Sequence, residues 1–250
     1  MLRKVLTALA LVFALSGAAL ASDLPTTKGP PVYTPPPPFS WTGLYVGGQA
    51  GYQWGGADTL LLGPAGQLLA GLPDNPSGFV GGAHLGYNYQ INQNGITQIV
   101  LGIEGDIEGL TFSGARLLPP PTPPGDPLPI PPFNHLANRI PIQGSLRGRI
   151  GYALDRALIY ATGGLALADV ENSYNSPGDT FWSVRPGWTV GGGLDYALDD
   201  HWSLGLEYRY TDFGHYYDAL VVTYPGDIAR IRLYDNAVRA IFSYKFDSFK

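Results

Sequence analysis

The sequence predicts an all-β fold: an eight-stranded antiparallel up-and-down transmembrane β-barrel. Three observations predict it. Apolar residues recur with period two over eight segments. The links between these segments alternate between about four residues and roughly 14 to 26, the mark of short turns at one rim and long loops at the other. The N-terminus reads as an export leader, and no later apolar run is long enough to span a bilayer as a helix.

In chain order, Arg3 and Lys4 precede the apolar run Val5 to Leu15, and small residues end at Ala19-Leu20-Ala21. A positive start, a short apolar run and an A-x-A site make residues 1–21 a cleaved signal peptide, because the run is too short for an anchoring helix. Residues 22–39 are a periplasmic linker, with seven prolines between Pro25 and Pro38. Nine more fall between Pro119 and Pro132, inside a long loop at about 113–138. Proline cannot donate to a sheet ladder, so both stretches are extended and lie outside the strands. The barrel domain occupies 40–250.

Each strand follows from its alternation. The first, 42–54, sets Leu44, Val46, Ala50 and Tyr52 against Tyr45, Gln49 and Gln53. The second, 78–91, sets Phe79, Ala83, Leu85, Tyr87 and Tyr89 against His84, Asn88 and Gln90. The third, 96–112, sets Ile99, Leu101, Ile103 and Ile107 against Gln98, Glu104, Asp106 and Glu108. The fourth, 139–152, sets Ile142, Leu146, Ile150 and Tyr152 against Arg147 and Arg149. The fifth, 158–170, has small or apolar residues on both faces, which leaves its register open. The sixth, 185–197, sets Trp188, Val190, Leu194 and Tyr196 against Arg185, Thr189 and Asp195. The seventh, 202–213, sets Trp202, Leu204, Leu206, Tyr208 and Tyr210 against Ser203, Glu207, Arg209 and Thr211. The eighth, 236–246, sets Val238, Ala240, Phe242, Tyr244 and Phe246 against Arg239, Ser243 and Lys245.

A soluble barrel would carry its apolar face inside. Here the polar face is rich in balanced charge, and the apolar face has Leu, Ile and Val at mid-strand with Tyr, Trp and Phe near the ends. That is a lipid-facing band with aromatic girdles. The composition excludes other classes. The chain has 250 residues and no cysteine, which removes disulfides, cysteine zinc sites and thiol nucleophiles. Its net charge of −5 gives no basic patch for nucleic acid.

Several segments carry a resemblance. "FSWTGLYVGGQAGYQWG" (39–55), "GGAHLGYNYQ" (81–90), "LGIEGDIEG" (101–109), "GSLRGRIGYALDRALIYATGGLA" (144–166) and "GWTVGGGLDYALDDHWSLGLEYRYTDFG" (187–214) resemble the outer-membrane immunogenic and porin-family barrels of alphaproteobacteria, which are similar to the OmpA-type transmembrane domain. The resemblance implies a surface-exposed protein of the cell outer membrane. Its implied partners are outer-membrane lipid and lipopolysaccharide, the barrel-assembly machinery, and a host or surface ligand at the long loops. It also implies an assembly signal at a terminal aromatic, either Phe246 or Phe249.

Glu104, Asp106 and Glu108 share one strand face at spacing two, a pattern that can serve acid–base chemistry. Buried charge is costly unless paired, so the expectation is a lumen charge network instead. Its members are Glu104, Asp106, Glu108, Arg147, Arg149, Asp195, Glu207, Arg209 and Arg239. His84 lacks partners for catalysis, and no cofactor or metal set stands out. Eight strands leave an interior just wide enough for side chains. The function expected is a structural envelope barrel, not an enzyme. The alternatives are a narrow porin for ions or small solutes, and a haem-binding or adhesive receptor whose loop ligands would come from His135, Tyr174, His215, Tyr216, Tyr217 and Tyr224.

Overall fold

Nine strands appear in the computed structural model, which describes residues 39–93, 97–116, 136–174, 180–220 and 226–247. They are β1 (Gly43–Leu62), β2 (Leu68–Leu72), β3 (Ser77–Gln93), β4 (Thr97–Arg116), β5 (Leu136–Leu154), β6 (Ala157–Tyr174), β7 (Thr180–Ala197), β8 (Trp202–Leu220) and β9 (Asp227–Lys245). β1 and β3 to β9 pair in antiparallel sequence, and β1 closes on β9 from Tyr45↔Lys245 to Leu62↔Ile228. Closure of eight staves leaves no sheet edge to face lipid. β2 is a short hairpin arm on β1 and is not a stave. The expected leader, the linker up to residue 38, the proline-rich stretch 117–135 and Phe249 lie outside the described residues.

Period two places the faces as the alternation requires. Leu44, Val46, Leu85, Ile103, Leu146, Ile150, Leu194, Leu206 and Phe242 are exposed, whereas Tyr45, Gln49, His84, Glu104, Arg147, Asp195 and Arg239 are buried. The open register of the fifth strand is settled by its neighbours. Arg147 pairs with Gly164 and Ile159 with Leu194, so Leu158, Tyr160, Ala166 and Ala168 turn inward while Ile159, Leu165 and Leu167 turn outward. On β1 the outward belt runs from Leu44 to Trp54. At about 3.3 Å per residue and a tilt near 40°, these eleven residues span roughly 25 Å, the height of the lipid-facing band.

The strands run well past the sequence-predicted ends on the long-loop side. β1 reaches Leu62 instead of Trp54, β8 reaches Leu220 instead of Phe213, and β9 begins at Asp227 instead of Asn236. The expected loop at 113–138 is likewise strand at both ends, through Arg116 and from Leu136. The reason is a reversal of polarity. In β9, Ala229, Ile231 and Leu233 point inward while Arg230 and Arg232 point outward. Outside the bilayer the wall meets water, so it takes the apolar-in, polar-out pattern of a soluble sheet.

β-Bulges mark the change of level. Two residues of β4, Leu110 and Thr111, oppose Pro141 of β5 between Gly109 and Phe112, and two of β5, Ile140 and Pro141, oppose Val170 of β6 between Arg139 and Ile142. Pro141, with no N–H to donate, sits in that second irregularity. β8 bulges between Asp212 and His215 around Gly214, whose φ of +70° suits glycine and whose N–H donates to Asp212 Oδ1 at 2.7 Å. An extra residue flips which side chains face inward.

Above this level the wall is no longer continuous. β7 pairs with β8 only up to Trp188↔Asp212, so residues 180–187 and 213–220 are not laddered to each other. β2 is paired to β1 alone. The head is therefore two sheets, β2-β1-β9-β8 and β4-β5-β6-β7. They pack through one apolar cluster that includes Leu61, Ile231 and Phe213 from the first and Phe112, Ile140 and Val170 from the second.

Candidate functional site

The lumen is built around glycine. A narrow barrel cannot accept a large side chain at every inward position. Arg147 lies opposite Gly164, Glu108 opposite Gly82, Arg239 opposite Gly51, Arg209 opposite Gly191 and Asp195 opposite Gly205. The approach is close: a Cβ on Gly164 would lie 2.1 Å from the Leu146 carbonyl oxygen, and one on Gly82 2.1 Å from that of Ile107. Each glycine thus makes the room its charged neighbour occupies.

All nine charged residues expected in the lumen point into it, and the structure brings them into contact. Arg147, Arg209 and Arg239 are at most 2% exposed. Arg147 stands directly opposite Glu104 in register and pairs with it through Nη2. Its Nη2 also donates to Asp106 Oδ2 at 3.0 Å, and its Nη1 reaches across the lumen to Glu207 Oε1 at 3.1 Å. Arg209 binds Glu207 through Nε (2.9 Å) and Nη2 (2.7 Å) and approaches Asp106 at 3.1 Å. Arg239 grips Glu108 with Nε at 2.6 Å and Nη2 at 2.9 Å, the paired geometry that favours arginine over lysine.

Neutral groups complete the network. Gln49 and Gln143 donate to the two oxygens of Glu108 at 2.6 and 2.7 Å, Ser145 donates to Asp106 at 2.7 Å, and Tyr45 donates to Glu104 at 2.7 Å. Arg149 pairs with Asp195 through Nη2, lies 3.8 Å from Glu104 and stacks 3.5 Å from the centre of the Tyr160 ring. Glu104, Asp106, Glu108, Asp195 and Glu207 are thereby committed to arginine. His84 meets Ser243 Oγ at 2.8 Å and, among the described residues, no carboxylate at hydrogen-bond distance. Among the described residues no group of three or more His, Asp or Glu could hold a metal ion.

Apolar layers lie on both sides of this network. Above it is the head cluster. Below it Trp41, Val100, Ala153, Leu158, Tyr160 and Ala197 pack together with Phe39 against them. Trp41 is held there by its indole N–H, which donates to the Asp155 carbonyl at 3.2 Å, and by its backbone N–H, which donates to Gln90 Oε1 at 2.8 Å. Between this cap and Arg149 lies a small vestibule of about 20 Å³. Sequence reasoning missed both layers. The readable signals were Trp41 just ahead of the first strand and the Ala-Arg-Ile-Arg-Leu alternation at 229–233, which resumes a strand pattern inside an expected loop.

The other expected residues scatter. Phe246 follows β9; its N–H donates to the Leu44 carbonyl at 2.8 Å and its ring packs edge-on against Tyr244. Of the loop ligands, His135 and Tyr224 are outside the described residues. Tyr216 turns into the head, where Asn172 donates to its hydroxyl at 3.2 Å, while Tyr217 faces outward. Tyr216 and Tyr217 therefore do not share a surface.

The family model "Outer membrane protein beta-barrel domain" matches residues 7–246. The 31 kDa outer-membrane immunogenic protein of Brucella melitensis is 32% identical over 97% of this chain and 98% of its own length. The 25 kDa outer-membrane immunogenic protein of Brucella abortus is 31% identical over 98% of this chain and 99% of its own. The crystal structure of Neisserial surface protein A aligns at 16% identity and a TM-score of 0.43, covering 82% of this chain and 98% of that one.

Proposed function

The chain belongs to the outer membrane protein β-barrel family and resides in the outer membrane, and from this premise we propose that it is a structural, surface-exposed envelope protein whose lumen is closed. The observation that carries the reading is the stack of three layers in the lumen. Arg147, Arg209 and Arg239 are locked to Glu104, Asp106, Glu108 and Glu207 between an apolar cap and an apolar head. Moving a hydrated ion through it would require breaking several buried ion pairs, each costing about 3–5 kcal/mol when one partner is lost. The engaged carboxylates support a non-enzymatic role. The relatives' designation as immunogenic proteins supports a surface antigen.

A second reading, a narrow porin, has one observation in its favour. Among the described residues, Gln53 Nε2 and Arg239 Nη1 are buried without a hydrogen-bond acceptor. Such groups require water. Planar-bilayer recording of the refolded protein separates the two readings. The expected result is no stepwise conductance. Regular steps that change size on Glu104→Ala or Arg147→Ala would replace the structural reading with the porin.

A further inference from the structure

The outward wall of the head carries a cationic groove that the lumen does not explain. Registers align it across three staves. Asp58, Arg232 and His215 form one row, and Leu60, Arg230 and Tyr217 form the next row up. The row below holds Tyr234, and the one below that Tyr210 and Trp54. Asp58, Leu60, His215, Arg230 and Arg232, with Gly71 and Pro73 at the β2 arm, line an open groove of about 420 Å³.

Height decides what this groove meets. Tyr and Trp rows settle at the membrane–water interface. Arg232 and Arg230 stand two and four residues above Tyr234, about 7 and 13 Å along the strand. That is where lipid headgroups begin. Arg230 has no carboxylate within ion-pair distance among the described residues, and its Nε is buried without a hydrogen-bond acceptor. Arg232 is half-exposed and comes no nearer than 3.8 Å to Asp212. The Asp212 carboxylate is otherwise engaged, accepting from the Tyr210 hydroxyl at 3.1 Å and the Gly214 N–H at 2.7 Å. Two guanidinium groups with unused donors, side by side at headgroup height, match the oxygens of a phosphate. Tyr217, exposed across from Arg230, offers a ring face beside them.

We propose that Arg230 and Arg232 bind the phosphate of a phosphorylated glycolipid in the outer leaflet, the lipopolysaccharide that surrounds the barrel. Asp58 sets the lower boundary of the groove and repels a second anionic group there. The site depends on the outer-membrane placement of the chain and is independent of whether the lumen conducts.

The test uses the refolded full chain in detergent micelles and native mass spectrometry with three probes: lipopolysaccharide, the same lipopolysaccharide after phosphatase treatment, and inorganic phosphate. Arg230→Gln/Arg232→Gln should weaken lipopolysaccharide binding at least tenfold. Arg139→Gln, which removes an exposed arginine from β5 on the opposite sheet, should leave it unchanged. Heat-modifiable gel mobility verifies that each variant folds, and Arg230→Lys/Arg232→Lys should retain part of the binding. Equal binding by the wild type and the glutamine variant would overturn the proposal, as would equal binding of the dephosphorylated lipid. Inorganic phosphate bound as tightly as the glycolipid would overturn the assignment to lipid.

Discussion

At Arg147 one guanidinium faces Glu104, Asp106 and Glu207, and the glycine opposite it makes the space. Arg147→Met leaves three buried carboxylates short of a partner and should cost about 3–5 kcal/mol. Its chain neighbour Leu146 points at lipid, so Leu146→Arg should cost about 2–4 kcal/mol for the opposite reason, a charge placed in hydrocarbon. Urea unfolding of the protein refolded into vesicles, followed by tryptophan fluorescence, measures both; an unchanged midpoint in either variant contradicts the assigned facing. Asp199 shows a milder effect in the short turn at 198–201. It accepts the N–H groups of Trp202 (2.7 Å) and His201 (2.8 Å), and these bonds hold its carboxyl below the ordinary aspartate range. A depressed native value means that the turn's stabilisation is present at neutral pH and is lost as pH falls through that value. Carboxyl NMR titration in micelles should give a midpoint below about 3.9, and Asp199→Asn should remove the pH dependence of this turn.

Among the elements, β7 and β8 change character along their length. Below Trp188↔Asp212 they are laddered, and above it the described residues continue without a ladder between them. Arg185 lies 4.0 Å from the centre of the Tyr216 ring and 3.4 Å from Asp218, and Asn172 donates to Asp218 at 2.9 Å. Backbone groups along this seam must turn to water, which is available above the bilayer. Hydrogen exchange should therefore be fast for the amides of 180–187 that face the seam and slow for those bonded to β6. Uniform protection across both edges would mean that the strands pair in solution. The head should respond like a packed core. Ile231→Ala removes a fully buried side chain from the cluster and should cost about 2–5 kcal/mol, read from the same urea midpoint.

Over the whole molecule, the barrel joins two kinds of sheet. The membrane section is apolar outside and charged inside, and the head is apolar inside and polar outside. The solvent around each level dictates the arrangement, because burial of apolar surface against lipid is free of the hydration cost that drives it inward in water. The consequence for transport is that polar and apolar layers alternate along the axis. A path for ions must cross both, which is why silence in planar bilayers is the outcome expected of the intact chain.

Strand number, order and facing in the membrane section were legible in the sequence, because a lipid-facing wall forces strict alternation from Leu44 to Phe246. The inward charge set was legible for the same reason. The upper ends of the strands were not, since the alternation continues there with its polarity reversed and is shifted by bulges near Pro141 and Gly214. Which arginine meets which carboxylate was open as well. Arg147 with Glu104 follows from adjacent-strand register, but Arg147 with Glu207, Arg149 with Asp195 and Arg239 with Glu108 join side chains 46 to 131 residues apart across the lumen. Alternation along one strand is a local property and can be read from the chain. Contacts across a lumen depend on closure and stagger of all eight staves, and only the tertiary structure sets them.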